Sequence, residues 1–443
     1  MAIPELLCPA GSLKALRLAF AYGADAVYAG QPRYSLRVRN NEFDLAALAT
    51  GISEAHALGK KLYVVVNIAP HNSKLKSFID DMAPVVALKP DALIVSDPGV
   101  VYLLKQHFPQ MPLHLSVQAN TVNWAAVKFW QAQGIERVIL SRELAVEEIA
   151  DIRREVPQME LEVFVHGALC MAYSGRCLLS GYINKRDPNQ GACTNSCRWP
   201  YQVHAAVEDE VGQFKPISTP ALLEEQGRPG ELMAIDEDLH GTYILNSKDL
   251  RAIEHVPALT AMGVHSLKIE GRTKSPYYAA RTAQVYRQAI DDAVAGKAFD
   301  PQLLTELNGM ANRGFTEGFL RRHKPQDTQN YATSHSAGEQ LLVGEFISGQ
   351  DSEGFALLEV KNQFAVGDSL VLMTPEGNQS FTLQALRDKQ DNAIVLAPGA
   401  CYQLKVKLPA QHNLSFAMLL KQLPAVVTAG SDLAINAAAE VVQ

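Results

Sequence analysis

The chain is organised around the stretch Glu162–Cys197, EVFVHGALCMAYSGRCLLSGYINKRDPNQGACTNSC. It continues an apolar, strand-like run, Met159–Val165, and then becomes rich in glycine and polar turn residues. Four of the six cysteines of the chain lie in it, namely Cys170, Cys177, Cys193 and Cys197. Because a segment with so little apolar periodicity cannot bury a core of its own, we expect the four thiolates to converge on one metal centre that anchors it.

The spacing of these cysteines narrows the kind of metal centre. Six residues separate Cys170 from Cys177, and three separate Cys193 from Cys197. A zinc ribbon typically uses pairs of cysteines two residues apart, and neither pair fits that pattern. An iron–sulfur cluster on four cysteines tolerates irregular spacing, so it is favoured, with zinc and four free thiols as the alternatives. Cys8 and Cys401 lie in strand-like runs and are expected to be buried packing residues.

Eight short apolar runs alternate with amphipathic helical segments on either side of this stretch. This alternation predicts an α/β fold, namely a (β/α)8 TIM-like barrel with the helices outside. An open doubly wound sheet is the alternative. The barrel is expected to span residues 1–330, with a cysteine-rich insertion at about 166–245. The predicted strands are Glu5–Pro9, Ala24–Ala29, Leu62–Ile68, Asp91–Ser96, Pro112–Val117, Arg137–Leu140, Met159–Val165 and Val264–Ile269.

The pattern of apolar and polar residues changes after the barrel region. From residue 338 to about 425, short alternating strands are joined by Gly, Asp and Asn turns, as in FALLEVK and YQLKVKL. This pattern predicts a small antiparallel β-barrel domain. Residues 426–443 are rich in Ala and Val without turn chemistry and are expected to form a loose tail.

Composition limits the cellular setting and the class of partner. The chain has 443 residues, of which 47% are hydrophobic and 20% charged, with a net charge of −7. No apolar run reaches the length of a membrane span, and the N-terminus lacks a basic region and an apolar core, so we expect a cytoplasmic protein without a membrane partner. A nucleic-acid site would have to be a local basic patch.

Polar residues follow several of the predicted strands, where the active site of a parallel barrel lies. His166 after the seventh strand and Glu270 after the eighth are the candidate catalytic residues, with a buried structural histidine and a simple Glu–Arg pair as the competing interpretations. Further side chains at these strand ends are predicted to line a substrate pocket. They are Asn67, Gln118, Asn120, Arg142, Glu143 and Arg272.

Basic residues interleaved with Tyr34, Tyr182 and Trp199 occupy loops expected at the same face. Arginine beside an aromatic ring can hold phosphate and stack on bases, so we regard these residues as RNA-binding candidates, whereas a solvated charged loop is the alternative. The candidates are Arg33, Arg37, Arg39, Lys185, Arg186 and Arg198. No GxGxxG, Walker, HExxH or GxSxG motif accompanies them, so motifs alone give a hydrolase little support.

The run Glu162–Ser180 resembles the signature of the collagenase-like family of unassigned peptidases (peptidase family U). Its invariant positions are filled by Glu162, Phe164, Gly167, Ala168, Leu169, Cys170, Gly175, Cys177, Leu179 and Ser180. The resemblance continues through VNIAPHN, LSVQAN, NKRDPNQGACTNSCRWPY and LKIEGRTKSPYY, and covers about residues 4–325. The C-terminal strands are similar to the small β domain that follows in this branch of the family.

The resemblance implies RNA modification rather than the activity in the family name. It is strongest to a branch that forms 5-hydroxyuridine at the wobble position of tRNA, linked to prephenate or a derivative. It also implies an iron–sulfur cluster of the 4Fe–4S type on Cys170, Cys177, Cys193 and Cys197. The implied partners are tRNA, the iron–sulfur assembly machinery and an electron donor. There are two alternatives. One is a collagenase-like peptidase, which is the hydrolase that the family name implies, and the other is a non-catalytic RNA-binding subunit of a hydroxylation system.

Overall fold

A computed structural model describes residues 3–36, 41–170, 172–198, 247–321 and 338–423, together with six short strands between residues 205 and 242. The side chains of residues 181–183 and 198, and those of the six short strands, are outside this description. The chain divides into two compact units, the first comprising residues 1–337 with 374–376 and the second residues 338–373 with 377–443. The six strands are Ala205–Glu208, Phe214–Ile217, Leu222–Glu224, Leu232–Ala234, Glu237–Asp238 and Gly241–Thr242.

The first unit contains a closed barrel of eight parallel strands. Each strand pairs with the next, and β8 closes the barrel by pairing with both β7 and β1. The closed ring confirms the predicted TIM-like fold and rules out the open sheet. The strands are β1 (Glu5–Pro9), β2 (Ala26–Gly30), β3 (Lys61–Val66), β4 (Ala92–Val95), β5 (Leu113–Leu115), β6 (Arg137–Ile139), β7 (Glu160–Ala168) and β8 (Ser266–Ile269).

Helices follow the strands, and side chains in the preceding turns fix where several of them begin. Ser12 accepts a hydrogen bond from the N–H of Ala15, and Asp44 accepts one from the N–H of Ala47, and both residue types are common helix N-caps. The helices are α1 (Leu13–Ala21), α2 (Leu45–Ala57), α3 (Asn72–Leu75), α4 (Phe78–Ala87), α5 (Pro98–His107), α6 (Trp124–Ala132), α7 (Val146–Glu155), α8 (Leu179–Asn184), α9 (Val256–Met262), α10 (Pro276–Val294) and α11 (Gln302–Asn308). Short 3-10 turns are Val117–Ala119, Pro188–Gln190, Ser196–Arg198 and Ile253–His255.

The amphipathic pattern of Ser247–Met262 predicts one helix, and this prediction is wrong over its first half. Asp249–Arg251 is instead a strand that runs antiparallel to the end of β7 and parallel to Phe315–Thr316. The helix begins only at Val256, with Pro257 in its first turn, a position where proline costs no hydrogen bond. This extra strand extends the sheet at the point where the cysteine-rich insertion returns to the barrel.

The second unit is an antiparallel β domain, as predicted. Eight strands form one sheet around a core that includes Leu358, Val360, Leu372 and Leu419. The eight strands are Gln340–Gln350, Phe355–Val360, Ser369–Thr374, Gly377–Thr382, Leu386–Arg387, Ala393–Ile394, Gln403–Lys407 and Met418–Gln422, and a separate pair joins Phe364–Ala365 to Leu396–Ala397. The predicted tail, residues 426–443, lies outside the described residues. None of the helices in the described ranges has the length and apolar character needed to cross a bilayer.

Candidate active site

A cavity of about 130 Å³ lies at the carboxyl ends of the barrel strands. Tyr28 of β2, Val65 of β3 and Phe164 of β7 contribute apolar and aromatic surface to its wall. The four cysteines of the insertion all line it: Cys170, Cys177, Cys193 and Cys197. Four charged side chains line it as well: Arg142, Lys268, Glu270 and Arg272. The structure thus brings the predicted metal ligands and a cationic pocket to one place.

The cysteine-rich loop is held against the barrel by contacts with the loops after β3 and β5. The N–H of Ala69 donates to the carbonyl of Asn189 over 3.1 Å, and the Asn189 side chain donates to the Cys177 carbonyl over 3.0 Å. Gly175 has a left-handed backbone (φ +73°), and a Cβ there would lie 2.4 Å from the carbonyl oxygen of Gln118. Only glycine fits so close an approach, so the loop is fixed over the cavity at this point.

Hydrogen-bond donors surround two of the cysteine sulfur atoms. The N–H of Asn195 donates to Cys193 Sγ over 3.4 Å, and the Ser180 hydroxyl lies 3.9 Å from the same sulfur. Burial raises the pKa of the Cys177 thiol, and a backbone hydrogen bond from Leu179 opposes that rise. Donors of this kind surround the thiolate ligands of iron–sulfur clusters.

All six cysteines are free thiols in the structure. Within the part of the chain that the structure describes, no three His, Cys, Asp or Glu side chains stand together as metal ligands. The four thiols therefore share a cavity without meeting at the spacing of a bound metal. Their number, their common cavity and their donors fit a four-thiolate centre chemically. Cys8 is buried as predicted, whereas Cys401 is exposed, so its predicted burial is wrong.

Arg142 and Glu270 form one charged pair in the cavity wall. Arg142 Nη2 lies 3.3 Å from Glu270 Oε2, and Nη1 donates to the Ala168 carbonyl over 2.8 Å. The guanidinium also lies over the Phe164 ring, 3.9 Å from its centroid. Arg142 is therefore held in place from three sides, and it holds the Glu270 carboxylate at the cavity.

Lys268 is a cavity residue that the sequence analysis did not single out. Its ammonium group is buried, donates to Glu162 Oε1 over 2.8 Å and lies 4.2 Å from the Tyr28 ring centroid. Burial lowers the pKa of Lys268, while the Glu162 carboxylate acts to raise it. Glu162 also accepts from Arg137 over 3.3 Å, and Arg137 reaches Glu5 Oε1 over 2.5 Å. A row of charged side chains thus runs through the barrel interior and ends at the cavity.

The predicted pocket residues divide into those that line the cavity and those that support it. Asn67, Gln118 and Arg272 line it together with Arg142. Arg272 donates to the Leu36 carbonyl over 2.7 Å. Asn120 and Glu143 do not appear in the cavity wall. Both hydrogen-bond to the Ser141 hydroxyl, at 3.0 Å for Asn120 Oδ1.

His166 does not reach this cavity, although it was the predicted partner of Glu270 in catalysis. A shift of register between β7 and β8 pairs Phe164 with Lys268 but His166 with Ile269. Such a bulge changes which face the following residue presents. His166 consequently packs against Tyr278 and Tyr286 of α10 and lines a separate, smaller cavity with Asp249 and Lys274. The geometry gives a catalytic role for His166 no support.

The basic residues predicted to bind RNA have different environments. Arg33 is paired with Asp81 over 2.6 Å, and its neighbour Tyr34 is buried, with its hydroxyl 2.5 Å from the same carboxylate. Lys185 and Arg186 are exposed. Arg37 and Arg39 lie outside the described residues, as does Trp199, and the side chains of Tyr182 and Arg198 are not described.

Two family models match the chain. The model described as Peptidase family U32 matches residues 11–330, and the one described as Peptidase family U32 C-terminal domain matches residues 339–421. Together they cover the barrel unit and the β domain almost completely.

Relatives with high identity span nearly the whole chain. The tRNA hydroxylation protein P of Escherichia coli (strain K12) is 62% identical over 96% of this chain and 98% of its own length. The protein of the same name from Haemophilus influenzae is 57% identical over 95% of this chain and 96% of its own length. A third relative, the 23S rRNA 5-hydroxycytidine C2501 synthase of Escherichia coli, is 33% identical over 65% of this chain and 39% of its own length.

Proposed function

The chain belongs to peptidase family U32, and on that premise we propose that it is an enzyme that hydroxylates tRNA. The names of two relatives support this, since the chain matches both over nearly their full length and both are called tRNA hydroxylation protein P. We further propose that the substrate is the wobble uridine and the product 5-hydroxyuridine. This reaction replaces the hydrogen on C5 with a hydroxyl group, so it needs an oxygen source and removes two electrons from the base.

The observation that carries the proposal is the cavity that four thiols line together with Arg142, Lys268, Glu270 and Arg272. It lies at the carboxyl ends of the strands, where barrel enzymes hold their active sites. An anticodon-loop base is already largely unpaired, so entering such a cavity costs it little. In the cavity, the N–H groups of Lys268 and Arg142 can donate to the uracil carbonyl oxygens. Glu270, held by Arg142, is the candidate group to accept the C5 proton.

The four cysteines are proposed to hold an iron–sulfur cluster of the 4Fe–4S type. When bound, such a cluster supplies an iron atom for oxygen transfer or a relay for electrons. Cys170, Cys177, Cys193 and Cys197 would be its ligands, and the donors at Cys193 and Cys177 would stabilise their thiolates. The assembly machinery for such clusters and a redox partner that takes up the two electrons removed from the base are then expected partners.

Prephenate or a derivative is the proposed oxygen source. The cationic part of the cavity is suited to a carboxylate, because Arg142, Lys268 and Arg272 line it and Glu270 is the acidic residue among its described lining side chains. The aromatic rings of Tyr28 and Phe164 offer apolar surface beside these cations.

The experiment compares cells that lack the gene and carry plasmids for the wild type, Cys193→Ala or Cys401→Ala. Cys401 is the matched control, because it is an exposed free cysteine in the second unit. We expect 5-hydroxyuridine in tRNA nucleosides, measured by mass spectrometry, with the wild type and Cys401→Ala but not with Cys193→Ala. Protein purified without oxygen should contain about four iron and four sulfide per chain, and Cys193→Ala should lose them. Unmodified tRNA with the wild-type plasmid would reject the function, and zinc or no metal would reject the cluster.

A further inference from the structure

Tyr173 is an exposed aromatic residue at the mouth of the cavity. Its side chain lines the cavity, yet it is 51% exposed to solvent. Large aromatic side chains are usually mostly buried, so an exposed ring at the entrance of a binding cavity points to a ligand with a flat, apolar face.

The backbone that carries Tyr173 forms a defined turn. The N–H of Arg176 donates to the Tyr173 carbonyl over 3.0 Å, which closes a four-residue turn. The third residue of the turn is Gly175, whose positive φ is typical of a type II turn. Because Gly175 is pressed against the Gln118 carbonyl, the turn is fixed to the barrel rim rather than free in solvent. The backbone that carries Tyr173 is therefore in place at the cavity before any ligand arrives.

Exposed basic residues lie in this turn and further along the same cysteine-rich loop. Arg176, Lys185 and Arg186 are all exposed, and within the described residues no carboxylate forms an ion pair with any of them. The nearby Asp187 side chain accepts a hydrogen bond from the N–H of Asn189. These cations stand out on a chain whose net charge is −7. An exposed ring in a loop that also carries three exposed cations matches a nucleotide, whose base stacks and whose phosphates carry the negative charge.

We propose that Tyr173 is a stacking platform for the unstacked base of the RNA substrate, with Arg176, Lys185 and Arg186 contacting the phosphates beside it. The proposal rests on the RNA substrate of the proposed function and names the surface that receives it. It assigns Tyr173 a positioning role at the entrance, distinct from the chemistry of the cavity floor.

Binding of a synthetic tRNA anticodon stem-loop, followed by fluorescence anisotropy, tests the platform in the absence of turnover. Tyr173→Ala should weaken binding roughly tenfold, because stacking on an aromatic ring contributes about that much per base. Tyr173→Phe should bind like the wild type, since stacking needs the ring and not the hydroxyl. Tyr102→Ala is the control, because Tyr102 is 61% exposed on α5 and does not line the cavity. Thermal unfolding of each variant checks that it is folded.

An abasic residue at the target position separates stacking from a general loss of affinity. The wild type should bind the abasic stem-loop more weakly than the intact one, by the same factor as Tyr173→Ala weakens binding of the intact stem-loop. Tyr173→Ala should bind the abasic and the intact stem-loops equally. The double variant Lys185→Ala, Arg186→Ala should bind both RNAs more weakly. The slope of the logarithm of the binding constant against the logarithm of the salt concentration should become less steep, by roughly 0.7 for each phosphate contact removed.

The outcomes distinguish this proposal from the proposed function. If Tyr173→Ala binds the intact stem-loop as tightly as the wild type, the platform is rejected while the RNA substrate stands, and the surface is then one for a protein partner. If the wild type does not bind the stem-loop at all, both the RNA substrate and the platform are rejected.

Discussion

Lys268 carries its charge in the barrel interior, where it is only 3% exposed. Replacing it with methionine removes the ammonium group and leaves the Glu162 carboxylate buried. Removing one partner of a buried ion pair typically costs roughly 3–5 kcal/mol, and Arg137, at 3.3 Å, offsets part of this. We expect Lys268→Met to lower the free energy of unfolding, measured by urea denaturation, by somewhat less than roughly 3 kcal/mol. The double variant Glu162→Gln, Lys268→Met should recover part of the loss. A single variant as stable as the wild type would show that the pair contributes nothing.

Single residues of the site were only partly predictable from sequence. The cysteines were found because four of them cluster in a polar loop, and Arg142 and Glu270 because polar residues at strand ends meet in a barrel. Lys268 was missed because it lies within an apolar strand, and its pairing with Glu162 depends on the register between β7 and β8. His166 was expected at the cavity because it follows the predicted seventh strand, whereas β7 continues to Ala168 and its bulge turns His166 toward α10.

The turn that carries Tyr173 depends on a glycine for its contact with the barrel rim. Gly175→Ala introduces a Cβ at 2.4 Å from the Gln118 carbonyl oxygen and a side chain at φ +73°. We expect the turn to move away from the rim, so stem-loop affinity and iron content should both fall. Gly59→Ala is the matched control, since Gly59 has a similar φ of +65° and nothing within 4 Å of its Cβ position. That change should cost only about 1 kcal/mol of stability and leave binding intact. Equal binding by the two variants would argue against a fixed turn.

Whole elements were easier to predict than side-chain contacts. Strands buried on both faces of a parallel barrel are continuous apolar runs, so all eight were predicted, β1 with the same ends as observed. The antiparallel strand Asp249–Arg251 was not, because three residues with charged ends carry no strand pattern and their pairing partner is the distant end of β7. The amphipathic run Ser73–Leu88 predicts a single helix, but the structure divides this region into α3 and α4.

Stability of the barrel unit is expected to depend on pH through its buried histidines. Burial lowers the pKa of His166 to about 3 and that of His114 well below its usual value. Asp249 acts to raise the pKa of His166, whereas Arg251 and Lys274 act to lower it. In the unfolded chain both histidines titrate near pH 6.5. Between pH 7 and 5 the unfolded chain therefore binds protons that the folded barrel does not.

This difference in proton binding makes the folded barrel less stable as the pH falls. The free energy of unfolding should decrease by up to about 1.4 kcal/mol per pH unit for each such histidine. Tryptophan fluorescence can follow the barrel selectively, because Trp124, Trp130 and Trp199 all precede residue 338. Urea unfolding at pH 7 and pH 5 should show the decrease, and His166→Gln should make it less steep. A barrel equally stable at both pH values would mean that the buried histidines take up protons in the folded state. That result would contradict the expectation drawn from the packing of His166 against Tyr286 and Phe315.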